Sequence, residues 1–273
     1  YNLAAGVAIA AGLGLFLVVR PLRGERYLAR ALHEPSGSGA RDGLLQSASE
    51  AAPWDPRYPA EIGRSYFFEA IREQDPERRL ALLSMAHESL GRSVAIAPEN
   101  SENRILYASV LSAEAVLKPE SGSRGLVRDE FHRAVALDPL SPTVLVGAER
   151  GLIAAGLTGE ARELALRCAR AYPDYAPPLA DLGSIAMEEG RGAAAADTLK
   201  LAVRRNWRED PEGAANAWND LARASLMIGD PEQASVAADS ALARNPALGA
   251  AFATKEAAKR TIAERKGAQA KGK

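Results

Sequence analysis

Residues 179–207 read LADLGSIAMEEGRGAAAADTLKLAVRRNW. A large residue, a leucine and a small residue stand at Leu179, Leu182 and Gly183, one face of a helix. The pattern stops at Gly190, where a left-handed residue is easiest for glycine. A second amphipathic stretch then carries small residues at Ala195 and Ala202 and ends at Trp207. This describes two helices joined by a short turn.

The unit recurs along the chain. AWNDLARASLMIG (217–229) repeats the first half as Trp218, Leu221, Ala222 and Gly229, and Gly156 holds the same place one unit earlier. The second half recurs as SEAAPWDP (49–56), GRSVAIAP (91–98), HRAVALDP (132–139), LRCARAYP (166–173) and SALARNP (240–246). Each ends at a proline, and Trp207 fills that place in LKLAVRRNW. The stops Pro56, Pro98, Pro139, Pro173, Trp207 and Pro246 are spaced by 42, 41, 34, 34 and 39 residues. Five places before them stand Ala51, Ser93, Ala134, Cys168, Ala202 and Ala241, all small. Twelve places before them stand Leu44, Ala86, Val127, Ala161, Ala195 and Ala234. Small residues at such positions let helix axes approach closely, and the large ones fill the groove of the next unit.

This pattern resembles the tetratricopeptide repeat, whose unit of about 34 residues carries these large, small, Gly and Pro positions. The resemblance is strongest over 142–246, looser over 57–139, and about half a repeat over 24–56. It implies an all-α, right-handed superhelical solenoid of about five to six helix pairs. The periodicity predicts helices over roughly 2–20, 24–33, 42–53, 58–73, 77–96, 101–117, 125–137, 142–156, 159–171, 176–190, 193–205, 214–228, 231–244 and 247–265. The insert REDPEGA (208–214) accounts for the longer last spacing, and Asp230-Pro231 reads as a helix start. The stretch 247–265 is expected to cap the solenoid, and 266–273 to be disordered.

Composition agrees with helices. Hydrophobic residues make up 47%, aromatics only 5%, and alanine dominates the apolar set. Lys and Arg number 34 against 35 Asp and Glu, so no global basic field draws nucleic acid. Cys168 is the single cysteine, which excludes an intrachain disulfide and a cysteine-based metal cluster.

Residues 1–22 read apart from the rest. The run from Leu3 to Val19 has no charged residue and is followed by Arg20, Arg23, Arg26 and Arg30. A signal peptide would want a small-residue cleavage site, and a buried solenoid helix a polar stripe. A transmembrane helix fits the length and the glycines. The domain order expected is therefore a transmembrane helix (1–22), a linker helix and half repeat (23–56), repeats (57–246), a capping helix and a tail. With residues 1–20 in the lipid bilayer of a bacterial inner membrane, the arginines favour the cytoplasmic side for the repeats, and the periplasmic side stays open as the alternative.

No catalytic constellation emerges. His33, His87 and His132 lie apart from one another and from Cys168, and no nucleotide-cradling glycine motif or nucleophile elbow is present. No metal and no cofactor is called for. RRNWRED (204–210) is locally basic, but Trp207 reads as a plug where proline usually stands, so no nucleic acid is expected. The resemblance implies a partner-binding groove lined by the first helix of each pair: Arg150, Asp181, Ser184, Asn216, Asn219, Asp220 and Arg223. A solvated surface is the plain alternative for each. The family's carboxylate clamp is not reproduced, because Asn219 and Asp220 stand where it wants a lysine and an asparagine. Three functions follow as expectations. The first is a membrane-anchored scaffold for a protein partner. The second is the tail of a multi-span O-antigen ligase or polysaccharide polymerase, whose architecture is similar. The third is a subunit of a larger membrane complex.

Overall fold

The structure, a computed structural model, describes residues 19–35, 38–118, 123–208 and 210–271. Among these every regular element is an α-helix. The first, α1, covers 19–31. It is followed by α2 (Gly39–Ala51), α3 (Arg57–Arg72), α4 (Pro76–Ile96), α5 (Ser101–Leu117) and α6 (Arg124–Leu137). Then come α7 (Pro142–Ala154), α8 (Thr158–Ala171), α9 (Pro177–Glu188), α10 (Gly192–Ala202), α11 (Pro211–Met227), α12 (Pro231–Arg244) and α13 (Gly249–Lys271).

The chain divides into two units, residues 1–139 with 154–156 and residues 140–153 with 157–273. In the first, successive helices from α2 to α6 pack on one another, and α3 also meets α5. In the second, successive helices from α8 to α13 do the same; α9 also meets α11, and α11 meets α13. Contact between every second helix is what stacked pairs require. The core is largely alanine: Ala195, Ala196, Ala222, Ala224, Ala237 and Ala238 form one cluster with Leu199 and Leu221. At Gly183 an added Cβ would stand 2.5 Å from Leu199 Cγ, so the helices meet at backbone distance there.

Proline ends the helices by one repeated geometry. Ala52, Ala97, Asp138, Tyr172 and Asn245 each close a helix with φ between −139° and −130° and ψ between 72° and 92°. Each directly precedes a proline, whose ring excludes the helical conformation from the residue before it. Their N–H groups donate to the carbonyls of Ala48, Ser93, Ala134, Cys168 and Ala241. Those five residues are fully buried. The first unit's register is thereby corrected: Pro53, not Pro56, is the stop, and Ala48, not Ala51, is the small residue. Pro56 instead sits at the start of α3, where its carbonyl accepts from Ser93 Oγ at 2.8 Å.

α10 lacks a proline stop and tightens into i→i−3 bonds at Arg204 and Arg205. Trp207 closes it, with Nε1 donating to the carbonyl of Ala202 at 3.2 Å and the ring packed with Ala180 and Ala217. Asn206 then bridges to Tyr175. The turn glycines stand as expected, at φ +75° for Gly156, +73° for Gly190 and +77° for Gly229. The next N–H, of Leu157, Arg191 or Asp230, reaches back five residues. That is the Schellman closure.

Several boundaries depart from the sequence expectation, and three of them have a local cause. α11 begins at Pro211 rather than 214, because Asp210 caps it through Gly213 N (2.7 Å) and Pro211 takes the first turn. α13 runs to Lys271, into the segment expected to be disordered; residues 266–271 are rich in helix formers, broken only by Gly267. α1 is continuous through Pro21 and Gly24, where a break was expected, and Tyr27, Leu28 and Ala31 pack it on α2 and α3. Residues 1–18, which carry most of the expected transmembrane helix, lie outside the described residues. Among the described residues no helix is long and apolar enough to cross a membrane.

Candidate functional site

The second unit holds an open cavity of about 480 Å³. Its walls come from α7 (Arg150, Ile153), α9 (Ala180, Asp181, Ser184), the turn at Trp207 and Asp210, and α11 (Glu212, Gly213, Asn216, Ala217, Asp220). Helical spacing explains the arrangement. Asp181 and Ser184 are three apart on α9, and Asn216 and Asp220 four apart on α11, so each pair shares a face. Ala180 and Ala217, packed with Trp207, line the cavity's apolar side.

Five of the seven residues placed in a groove by the sequence therefore meet here: Arg150, Asp181, Ser184, Asn216 and Asp220. Arg223 stands at the edge, with Nη1 on Asp220 Oδ1 at 3.1 Å. Asn219 is not in the cavity. It is buried toward α13, where Oδ1 accepts from Thr254 Oγ1 at 3.0 Å.

The carboxylates are partly desolvated. The side chains of Asp181 and Asp220 are only 17% and 22% exposed. Arg150 Nε lies 3.1 Å from Asp181 Oδ2, and Ser184 Oγ donates to Asp220 Oδ2 at 3.1 Å. Burial pushes both aspartates above their usual range despite these partners. The lining holds four carboxylates, Asp181, Asp210, Glu212 and Asp220, against the single guanidinium of Arg150.

Beneath the cavity lies a group the sequence reading missed. Glu149 is fully buried, and its carboxyl meets that of Asp181. Neither of its oxygens receives a hydrogen bond. Two carboxyls in contact need a proton between them, and burial, reinforced by Asp181, pushes Glu149 well above the usual carboxylate range. Burial therefore favours the protonated form of Glu149, whose nearest ionisable neighbour is Asp181. The signal lay in VLVGAERGLI (144–153), where a glutamate stands four residues after Leu145 and three before Leu152, on the apolar stripe.

The remaining sequence candidates do not converge. Cys168 is buried at its repeat position, and burial lifts its thiol to about 11. His87 Nδ1 pairs with Glu114 Oε2 at 2.8 Å on the first unit, with Tyr107 beside it. Among the described residues, no three His, Cys, Asp or Glu side chains are grouped to hold a metal ion.

No protein-family model and no curated protein matches the chain. Solved structures do. PilW, a widely conserved type IV pilus biogenesis factor, matches with a TM-score of 0.61 at 16% identity, over 84% of this chain and 97% of that one. PilF of Pseudomonas aeruginosa matches with a TM-score of 0.58 at 13% identity, over 87% and 98%. A thermophilic tetratricopeptide protein of Thermus thermophilus matches with a TM-score of 0.51 at 16% identity, over 72% and 98%. The chain therefore has the tetratricopeptide-type fold. At such identities the likeness extends to the fold alone, and it does not bear on the glycan-ligase reading.

Proposed function

We propose that the chain is a scaffold that holds a segment of a protein partner against the first helices of its second unit, and that residues 1–20 anchor it in a membrane. The observation that carries the scaffold reading is the cavity itself. Three helices of the repeat type, α7, α9 and α11, turn polar side chains into one open space of about 480 Å³, and Asn216 stands exposed on its wall. Clefts between helices with a few convergent polar groups are common binding places. The part PilW plays in pilus biogenesis stays with PilW.

The anchor rests on the uncharged run from Leu3 to Val19. Arg23, Arg26 and Arg30 are exposed on α1 directly after it, which supports the cytoplasmic side for the repeats.

A photo-crosslinking residue in place of Asn216 tests the scaffold reading. A discrete adduct to one partner is expected there and not from a control at Asp197, which is exposed on α10. No adduct, or the same adducts from both positions, overturns it.

A further inference from the structure

We propose that the cavity of the second unit takes a cationic side chain, lysine or arginine, from an extended segment of the partner, seated between the carboxylates of Asp181 and Asp220. This rests on the scaffold reading and names the chemistry of its partner.

Three observations lead to it. The first is the balance of charge: four lining carboxylates face two guanidiniums, that of Arg150 on Asp181 and, from the edge, that of Arg223 on Asp220, so negative charge stays in excess. A chain-terminal carboxylate would be repelled here, whereas a cation supplies the missing charge. The second is Glu149. It is fully buried beside Asp181, and neither of its oxygens receives a hydrogen bond. Two carboxyls this close do not both ionise, so the charge of the pair falls on Asp181, which lines the cavity and has the Arg150 guanidinium at 3.1 Å. The third is shape. The apolar surfaces of Ile153, Ala217 and the Trp207 ring line the cavity beside the carboxylates. They suit the methylene stem of a lysine or arginine, whose charged head stays with polar groups. No three His, Cys, Asp or Glu among the described residues are set to hold a metal ion, and a cavity of about 480 Å³ is sized for a side chain.

The test uses the full chain in a zwitterionic detergent. The probes are fluorescent Gly/Ser peptides with both ends capped, carrying a pair of lysines, arginines, glutamines or glutamates. Microscale thermophoresis measures binding. The lysine and arginine peptides are expected to bind about tenfold or more tighter than the glutamine peptide. Asp181→Asn and Asp220→Asn are each expected to weaken the lysine peptide about tenfold. Asp239→Asn, which removes a carboxylate paired with Lys255 outside the cavity, should leave binding unchanged. Asp220 is held by side chains near the surface, so Asp220→Asn decides the matter even if Asp181→Asn does not fold.

Equal binding of the glutamine and lysine peptides, or lysine binding unchanged in Asp220→Asn, overturns the inference. If no peptide binds while the crosslinker at Asn216 captures its partner, the cationic partner is ruled out and the scaffold stands. If the lysine peptide binds as expected and the crosslinker captures nothing, the scaffold reading fails while the cation site stands.

Discussion

Glu149 is the residue whose surroundings depart furthest from its chemistry. It faces Asp181 from α9, with Arg150 on its own helix and the Cys168 thiol of α8 nearby. Its folded-state proton affinity is raised, so the folded chain holds a proton that the unfolded chain releases above its ordinary value of 4.5. That contribution to stability is present at low pH and is lost as pH rises from about 4.5 toward the folded value. Asp181 and Asp220 act in the same direction. Glu149→Gln should therefore raise stability at pH 8 relative to pH 5 by about 1 kcal/mol or more, read from denaturant melts at both pH values. An unchanged pH dependence would mean that Glu149 is ionised and hydrated. Cys168 offers a second check at this scale. Its thiol is fully buried and lifted to about 11, so a disulfide reagent at pH 8 should modify it only as fast as the second unit opens. Labelling as fast as that of a free thiol would remove Cys168 from the core.

At the scale of the element, the turn glycines and helix contacts carry separable costs. Gly229 at φ +77° has only Arg265 near its missing Cβ, so Gly229→Ala meets backbone strain alone, about 1 kcal/mol. Gly183→Ala meets Leu199 instead and should cost about 1–3 kcal/mol by overpacking α9 on α10. Chemical denaturation of the two variants separates the causes, because Leu199→Ala should relieve the second and not the first. These positions were legible in the sequence because repetition compares each with its equivalents. Prolines, turn glycines and small residues line up across units, and a position occupied by Ala, Ser or Cys alone reads as a close contact. Legibility failed where a unit departs from its siblings. SEAAPWDP holds two prolines, and only the cap geometry at Ala52 shows that Pro53 is the stop. Asp210-Pro211 carries the same start signal as Asp230-Pro231, yet its place in an insert hid it. Glu149 was passed over because a charged residue on a helix usually faces water, and burial is a property of the neighbours as much as of the residue.

For the molecule as a whole, attachment of the repeats to a membrane rests on a local feature: an uncharged run of near-spanning length joined to α1, whose exposed arginines suit an anionic lipid face. If the run spans the bilayer, burial of its apolar side chains holds the chain against loss of electrostatic contacts. The full chain should then stay with membranes through alkaline carbonate, and a chain lacking residues 1–18 should be released. That cut spares the packing of Tyr27, Leu28 and Ala31 on α2 and α3, so the two forms should melt alike. Release of both forms by carbonate would reduce the run to a surface contact, and retention of both would place the membrane-binding element elsewhere in the chain. A fluorescent protein fused after Lys273 reads the side. Fluorescence is expected, since the arginines favour the cytoplasmic face, and a dark fusion that gains activity as an exported phosphatase would reverse the orientation. The same result decides which partners the acidic cavity meets, because a basic segment must lie on the same side of the bilayer to reach Asp181 and Asp220.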